Sequence, residues 1–206
     1  LILLEHLSLP MPLSDFRVPS FYQEIRDDPG DFTVMEIPLA WRNGFRVTGT
    51  LDKVIMRSQF YQTTHEKRML SGNTSRNPEL KFQYFTEAPV INSIIALETG
   101  HAIDAATLAQ DQQLAAEVMR FFDVRYIVLR PEAGGKVRPY LETILPDAKL
   151  WREENGVRVY RLSPSATSQG SVQIDPKSAQ ARLYFAEGWG ELGETRVWAQ
   201  RSETRL

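Results

Sequence analysis

The stretch DQQLAAEVMRFFDVRYIVLRPE, residues 111–132, decides the fold because it joins a helical pattern directly to a strand pattern. Leu114, Val118 and Phe122 recur every four residues, which is the spacing of one buried helix face. Residues 124–129 then form a nearly continuous apolar run, with almost no loop between the two patterns. A short connection from a helix into a buried strand is typical of layered α/β domains.

The chain before this unit shows the same order of helix and strand. In SFYQEIRDDPGDFTVMEIPL (20–39), Ser20 is placed to cap a helix and Gln23 to complete a capping box, while Pro29-Gly30 stops the helix. The β-branched and apolar run that follows predicts a buried strand over 32–38. Apolar spacing then predicts two more helices, over 52–63 and over 86–100.

The chain after this unit predicts a helix over 137–144 and then a hairpin. Asn155-Gly156 lies between two alternating runs and is the strongest short hairpin signal. We therefore predict an α/β fold, a mixed sheet with packed helices, followed by a small C-terminal β segment. The strands assigned to the mixed sheet are 32–38, 124–129, 148–152 and 157–162.

Composition divides the sequence into three parts. Residues 1–162 carry the helix and strand patterns and are predicted to form an α/β soluble domain. Residues 163–180 are rich in Ser, Gln, Pro and Gly and are predicted to be a linker. Residues 181–206 alternate again and look like one hairpin. Because a lone hairpin is marginally stable in water, we interpret this part as an incomplete β unit.

Charge and residue usage exclude several classes of function. The 206 residues carry a net charge of −2 and show no basic stripe, so nucleic acid is not an expected partner. The absence of cysteine excludes disulfides, thiolate zinc sites and cysteine nucleophiles. His6, His65 and His101 are too far apart for a metal motif, and no cofactor is expected. Neither a phosphate-binding loop nor a nucleophile elbow occurs, which argues against a self-contained hydrolase or kinase.

A polar run, QFYQTTHEKRMLSGNTSRNPE (59–79), is the strongest candidate for a functional site. On an extended segment His65 and Lys67 would project from the same face, and an imidazole beside an ammonium prefers to be neutral. Together with Arg76 they could grip an anionic or hydroxyl-rich ligand at the surface, and Gly72 would let the backbone turn close to it. The alternative is that His65 caps a helix end, Lys67 is solvated and Arg76 pairs with a nearby glutamate. Residue types alone favour this alternative.

Glu36 lies inside the apolar strand pattern over 32–38. If its side chain faces inward, it is a buried carboxylate that needs a partner, and Arg57 or Arg76 could serve. An edge position that faces water is equally open. Aromatic residues near the C-terminus could form a platform that stacks on sugars, although this alternating spacing is more typical of a core. They are Tyr184, Phe185, Trp189 and Trp198.

Several segments, in the order in which they occur, resemble one group of proteins. They are LLEHLSLPMPL, VPSFYQEIRDDPGDFTVMEIPL, QTTHEKRMLSGNTSR, FFDVRYIVLRPE and EGWGELGETRVWAQRSETRL. The chain resembles the soluble extracytoplasmic C-terminal region of bacterial polytopic membrane proteins related to GT-C-type glycosyltransferases. The most specific element of this resemblance is formed by His65, Lys67, Gly72, Ser75 and Arg76.

The chain also departs from this group at two places. Glu66 and Arg68 stand where the group usually has a glycine and a proline beside the lysine. Gly190 stands where the group usually has an aromatic residue after Gly-Trp. The first difference bears on the shape of the polar loop, and the second weakens the idea of a sugar platform.

The resemblance implies a domain on the extracytoplasmic face, attached to the membrane domain of the same parent chain. LILLEH would be the exit of a last membrane helix, and residues 181–206 would begin a β-sandwich. The parent would transfer a sugar from a lipid-phosphate donor, with its catalytic acid in the membrane domain. This chain would hold the acceptor glycan or the phosphate of the lipid-linked sugar. The expected ligand-binding residues are His65, Lys67, Gly72, Ser75, Arg76 and Glu36.

Two other functions stay open on the residues. One is a non-catalytic binding or scaffolding domain of a membrane protein. The other is a free-standing α/β enzyme that uses His65 as a base. Because the sequence shows no recognisable catalytic constellation, we expect the purified chain to lack glycosyl-transfer activity.

Overall fold

The computed structural model of the protein describes residues 17–44, 46–50, 53–74, 86–163 and 174–185. Within these ranges the chain forms two β-sheets and six α-helices. In chain order the elements are α1 (Phe21–Asp27), β1 (Thr33–Ile37), β2 (Trp41–Asn43), β3 (Arg46–Thr48), α2 (Lys53–His65), β4 (Arg68–Met69), β5 (Gly72–Thr74), α3 (Ile91–Glu98), α4 (Ala105–Phe121), β6 (Val124–Leu129), α5 (Val137–Ile144), β7 (Lys149–Glu154), β8 (Val157–Arg161) and α6 (Ala181–Tyr184).

The larger sheet confirms the predicted α/β fold. Its strand order is β4-β1-β6-β8-β7, so the four predicted strands lie in one sheet and are joined by the short strand β4. Strands β4, β1 and β6 are parallel, whereas β8 is antiparallel to both β6 and β7. All five residues of β1 are buried, as expected for a central strand covered on both faces.

The two faces of this sheet bury different side chains because residues alternate along each strand. One face, here called the aromatic face, packs against α1 and α2. Its buried residues are Phe21, Tyr22, Ile25, Phe32, Val34, Tyr61, Tyr126, Val128, Val157 and Val159. The opposite face, here called the aliphatic face, packs against α3, α4 and α5 and includes Met35, Ile37, Ile91, Ile94, Val118, Val137 and Leu141.

The hairpin between β7 and β8 forms at the predicted Asn155-Gly156 turn. Both residues have positive φ, 50° at Asn155 and 78° at Gly156. This is the backbone geometry that matches the twist of two antiparallel strands. A Cβ atom at Gly156 would lie 3.2 Å from Cγ of Pro131, so the turn packs closely against the segment that follows β6.

A small second sheet was not predicted from the sequence. Its strands lie in the order β3-β2-β5, with β2 antiparallel to β3 and parallel to β5. Residues 72–74 fall in the polar run over 59–79, for which no strand was predicted, and they form β5. These strands are only three residues long and mostly polar, so they carry no recognisable period.

Several element ends differ from the predictions. Helix α2 continues to His65, two residues past the predicted end. Helix α4 begins at Ala105 because the Asp104 carboxylate accepts a hydrogen bond from Thr107 N at 2.7 Å, a side-chain cap that the prediction missed. The predicted capping box at Ser20 does not form, since Ser20 is in the helical region and its side chain makes no cap bond.

The described C-terminal residues, 174–185, pack on α4. The predicted β unit over 181–206 opens with the helical residues of α6, and the rest of that unit lies outside the described residues. The Glu117 carboxylate accepts hydrogen bonds from Gln180 Nε2 at 2.6 Å and from the Tyr184 hydroxyl at 2.7 Å. Leu183 is buried with the aliphatic face. The division into domains and linker stays a prediction.

Candidate crevice at the carboxyl ends of the parallel strands

The sheet topology creates a natural site between β1 and β6. After β1 the chain passes through α2 to β4 on one side of β1, while β6 lies on the other side. The connections that leave β1 and β6 therefore diverge at their carboxyl ends. In open α/β sheets, ligands bind in the crevice at such a switch point.

A crevice of about 350 Å³ is present at this end of the sheet. It lies where the segment after β6 meets the β7–β8 turn, helix α2 and the residues just before α1. Its lining residues are Arg17, Pro19, Arg57, Tyr61, Arg130, Pro131, Glu132, Asn155 and Val157. Ligand pockets commonly measure roughly 300–1,000 Å³, so this crevice is large enough for a small ligand.

Arg130 is the central charged residue of this crevice. It directly follows β6, and its side chain is only 6% exposed. Nε donates to Glu36 Oε2 at 3.1 Å, and an Nη group donates to the Tyr22 hydroxyl. The Tyr22 hydroxyl donates in turn to Glu36 Oε1, and Ser58 Oγ donates to Glu36 Oε2 at 3.3 Å. The guanidinium also lies 5.3 Å from the centre of the Tyr61 ring.

This network answers the question that the sequence left open about Glu36. Its side chain faces inward and is 1% exposed, so an edge position is wrong. Its arginine partner is Arg130, whereas the predicted candidates were Arg57 and Arg76. Burial is the largest single influence and lowers the pKa of Arg130, but the charge of Glu36, the two tyrosines Tyr22 and Tyr61 and the hydrogen bond to Glu36 together outweigh it, so the pKa is raised. Burial and the Glu36 charge also raise the pKa of Tyr22 well above its usual value.

Arg57 lies one turn before Tyr61 on α2 and lines the same crevice. Its side chain is half-buried. It makes no ion pair or hydrogen bond with another residue in the described part of the chain. A half-buried guanidinium without an acceptor leaves its donors available to a ligand.

His65 is buried, contrary to the predicted surface position. It is the last residue of α2, is 0% exposed, and stacks on Tyr22 with 5.5 Å between ring centres. Its Nδ1 accepts a hydrogen bond from Lys67 N at 3.1 Å, so it closes the end of the helix as the alternative interpretation held. Burial, and then the Lys67 charge, lower the pKa of His65 to about 4. Its Nε2 has no hydrogen-bond partner.

Lys67 is also held by the fold. Its ammonium donates to the main-chain oxygens of Asp28 at 2.9 Å and Gly30 at 3.0 Å, and lies 4.7 Å from the centre of the Phe32 ring. A cation at this place neutralises the exposed carbonyl groups at the C-terminal end of α1. Lys67 therefore stabilises the segment that leads into β1, at the end of the sheet opposite the crevice.

The remaining predicted site residues separate into two groups. Gly72 begins β5, where an added Cβ would lie 3.3 Å from Nε2 of Gln59. Ser75 and Arg76 lie outside the described residues, so the predicted convergence of His65 and Arg76 stays a prediction. Of the predicted residues that the structure describes, Glu36 alone contributes to the crevice, and it does so indirectly through Arg130.

Sequence reasoning missed Tyr22, Tyr61 and Arg130. Arg130 had a usable signal, because it directly follows an apolar strand that was predicted to lie in an α/β sheet. The two tyrosines gave no such signal, since aromatic residues on a helix are ordinarily core residues.

Glu98 is a second buried carboxylate, on the other side of the sheet. At the end of α3, its Oε2 accepts a hydrogen bond from Leu39 N at 2.8 Å and its Oε1 a longer one from Thr50 N at 3.4 Å. Burial raises the pKa of Glu98 to about 7, although these two main-chain donors act in the opposite direction. Glu98 thus connects Thr50, which lies two residues after β3, to Leu39, which lies two residues after β1.

No protein-family model matches the chain, and neither a curated protein nor a solved structure matches it. Within the described ranges, histidine, aspartate and glutamate side chains form no cluster of three or more that could hold a metal ion. None of the helices in those ranges combines the length and the apolar character needed to cross a membrane.

Proposed function

We propose that the chain is a ligand-holding domain of a membrane-embedded, glycosyltransferase-like parent protein, on the extracytoplasmic face. Its ligand would be the acceptor glycan or the lipid-phosphate-sugar donor, while the parent's membrane domain would carry out the transfer. The observation that supports this proposal is the arginine-lined crevice at the carboxyl ends of β1 and β6.

The composition of the crevice favours binding over catalysis. Its lining includes one carboxylate, Glu132, and no histidine, lysine or serine among the described residues. A nucleophile needs an adjacent base within hydrogen-bond reach, and Glu132 has no such partner in this lining. The lining fits recognition instead, since guanidinium and amide groups can bind phosphoryl oxygens and sugar hydroxyls.

His65 is also poorly placed to act as a base. The imidazole is buried, its Nδ1 is already hydrogen-bonded to the main chain, and its pKa is lowered to about 4. A general base works best with a pKa near the working pH. This combination favours the ligand-holding domain over the free-standing enzyme.

Nuclear magnetic resonance on the purified chain tests this proposal. Two probes are added separately: glucose linked to a short isoprenyl phosphate, and the neutral oligosaccharide maltotriose. At least one probe should shift the signals of Arg57, Tyr61 and Asn155, and neither probe should be turned over. Arg57→Ala should reduce these shifts, whereas Arg182→Ala, a change of an exposed arginine on α6, should not.

Two results would contradict the proposal. Turnover of the lipid-linked glucose by the purified chain would show that the domain is itself catalytic. Signal changes confined to residues far from the crevice, such as Lys67 and Asp28, would place the ligand at the other end of the sheet.

A further inference from the structure

We propose that the crevice recognises an oxyanion, a phosphoryl or carboxylate group on a hydroxyl-bearing ligand, held between Arg130 and Arg57. This inference rests on the proposed function, because it concerns the same crevice. It adds the charge of the ligand and the two side chains that bind it.

Arg130 provides the first half of the argument. A guanidinium has five N–H donors. Glu36 occupies the one on Nε, and the Tyr22 hydroxyl occupies one on an Nη group. The other three have no acceptor among the described residues, although the guanidinium is almost fully buried and lines the crevice. Because Arg130 lines the crevice, these unused donors are available to a ligand there.

The network around Arg130 also fixes its geometry before any ligand arrives. Glu36, Tyr22 and Ser58 are all buried, and each is hydrogen-bonded within the network. A side chain held in this way loses little rotamer freedom on binding. Glu36 is therefore a positioning residue for Arg130, and it would not itself contact the ligand.

Arg57 provides the second half of the argument. Arg130 is largely neutralised by Glu36, so this pair alone attracts an anion weakly. Arg57 lacks an ion partner among the described residues and adds an uncompensated positive charge to the same lining. Arg57 and Arg130 therefore place two guanidinium groups in the same lining. Guanidinium groups bind phosphoryl and carboxylate oxygens in a bidentate manner.

The size and polarity of the rest of the crevice indicate a ligand larger than a simple ion. Asn155 and Glu132 also line it, and both are exposed side chains that can bond to hydroxyl groups. A carboxylate in the lining accepts hydrogen bonds from hydroxyls and repels a second negative charge. The ligand is therefore expected to carry one anionic group beside a hydroxyl-bearing body.

Separate titrations of the whole chain with three small probes test the inference. The probes are inorganic phosphate, glucuronate and the neutral sugar glucose, each titrated by nuclear magnetic resonance at low ionic strength. Phosphate or glucuronate should shift the signals of Arg57 and Arg130, and glucose should bind more weakly than whichever of these two anions is preferred. A response to phosphate only or to glucuronate only identifies the oxyanion as phosphoryl or carboxylate.

Arg57→Ala is the decisive variant, because this half-buried side chain has no described partner whose loss would disturb the fold. It should weaken the binding of the preferred oxyanion about tenfold or more, which corresponds to roughly 1.4 kcal/mol. Arg57→Lys should recover part of this loss, because it restores the charge without the fork geometry. Arg182→Ala is the matched control and should leave binding unchanged.

Three outcomes would overturn the inference. The first is binding of glucose that is as tight as binding of the preferred oxyanion, and the second is equal affinity of Arg57→Ala and Arg182→Ala for the oxyanion. In the third, maltotriose or the lipid-linked glucose shifts the crevice signals but neither phosphate nor glucuronate does. That result would show that the crevice does not recognise an oxyanion, but it would not contradict the proposed function. If no probe shifts the crevice signals, both proposals fail.

Discussion

Glu36 and Glu98 are buried carboxylates on opposite sides of the larger sheet, and their surroundings satisfy them in different ways. On the aromatic face, Glu36 forms an ion pair with Arg130 and accepts hydrogen bonds from Tyr22 and Ser58. On the aliphatic side, Glu98 accepts hydrogen bonds from the main-chain N–H groups of Leu39 and Thr50. The first arrangement holds a guanidinium with unused N–H donors in the lining of a crevice, and the second ties two backbone segments together.

This difference shows where a binding site can arise in the fold. A guanidinium has more donors than one carboxylate can use, so pairing Arg130 with Glu36 leaves donors that can act outside the network. A carboxylate satisfied by backbone groups has no such surplus. The comparison therefore supports the proposal of ligand recognition on the aromatic face, and it is consistent with a structural role for Glu98.

The largest effect is expected from breaking the buried ion pair. Arg130→Ala would leave Glu36 as an unpaired buried charge, and we expect the free energy of unfolding to fall by about 3–5 kcal/mol. Urea denaturation at pH 7 measures this value. The double change Glu36→Gln with Arg130→Met should recover part of the loss, because no charge is then left behind. A loss below about 1 kcal/mol for Arg130→Ala would show that water already screens this pair.

On the aliphatic side, the titration of Glu98 should make the stability of the fold depend on pH. Its pKa is raised from 4.5 to about 7, so between these pH values the folded state keeps a proton that the unfolded state has lost. Stability from this group is therefore full below pH 4.5 and is lost as the pH rises to 7. As the pH rises from 4.5 to 7, the free energy of unfolding of Glu98→Gln should increase by on the order of 3 kcal/mol relative to that of the wild type.

Denaturation curves at several pH values test this expectation for Glu98. The expected result is a stability difference between Glu98→Gln and the wild type that grows as the pH rises. A constant difference would mean that Glu98 titrates as an exposed glutamate does, and the contrast with Glu36 would then lose its electrostatic basis.

His65 on the aromatic side has the opposite pH dependence. Its pKa is lowered from 6.5 to about 4, so below pH 6.5 the unfolded state binds a proton that the folded state does not. Stability therefore falls on the order of 3 kcal/mol as the pH drops from 6.5 to 4. His65→Phe keeps a ring for stacking on Tyr22 and should remove this loss, whereas His101→Gln, a change of an exposed histidine, should not.

The two titrations overlap and partly cancel in the wild type. Between about pH 4.5 and 6.5, Glu98 and His65 change stability in opposite directions, so neither slope is visible by itself. Each single variant should reveal the slope of the other group. Identical pH profiles for the wild type, Glu98→Gln and His65→Phe would contradict both assignments.

Gly49 tests the packing around Glu98 with a smaller effect. A Cβ atom there would lie 2.1 Å from Glu98 Oε1, and φ is +71°. At Gly100, where φ is +90°, an added Cβ meets nothing within 4 Å, so Gly100→Ala isolates the cost of backbone strain. Gly49→Ala should be the more destabilising change by about 1–3 kcal/mol, the usual cost of overpacking. Equal melting temperatures for the two variants would show that the Glu98 side chain moves aside freely.

The smallest effect is expected at an exposed ion pair on the aromatic side. Arg152 Nη2 lies 2.7 Å from Glu24 Oε2, but both side chains are nearly half exposed. We expect Arg152→Ala to cost less than about 1 kcal/mol in urea denaturation, because water and salt screen such pairs. A cost equal to that of Arg130→Ala would remove burial as the explanation for the difference between the two pairs.

The sequence predicted the larger sheet well because the relevant signals are local. The stripe of Leu114, Val118 and Phe122 and the run that follows it depend on spacing within a few residues. The Asn155-Gly156 turn depends on two residues that tolerate positive φ. The three-residue strands of the smaller sheet could not be predicted, because their pairing partners lie elsewhere in the chain and the segments are too short to show a period.

The candidate site was much less predictable. His65 and Lys67 were chosen because polar residues crowd residues 59–79, but polarity does not reveal burial. In the structure His65 stacks under Tyr22, and Lys67 is held by main-chain oxygens. Both side chains are therefore held by contacts within the fold, although Nε2 of His65 has no hydrogen-bond partner.

The sequence by itself determined the alternation of helices and strands, the hairpin and the presence of one carboxylate inside a central strand. Only the tertiary structure decided that Arg130 is the partner of Glu36, across 94 residues of sequence. Helix and strand patterns reflect the fixed period of side chains along the backbone. The partner of a buried charge instead depends on which strands become neighbours, and here the parallel pairing of β1 with β6 brings Arg130 to Glu36.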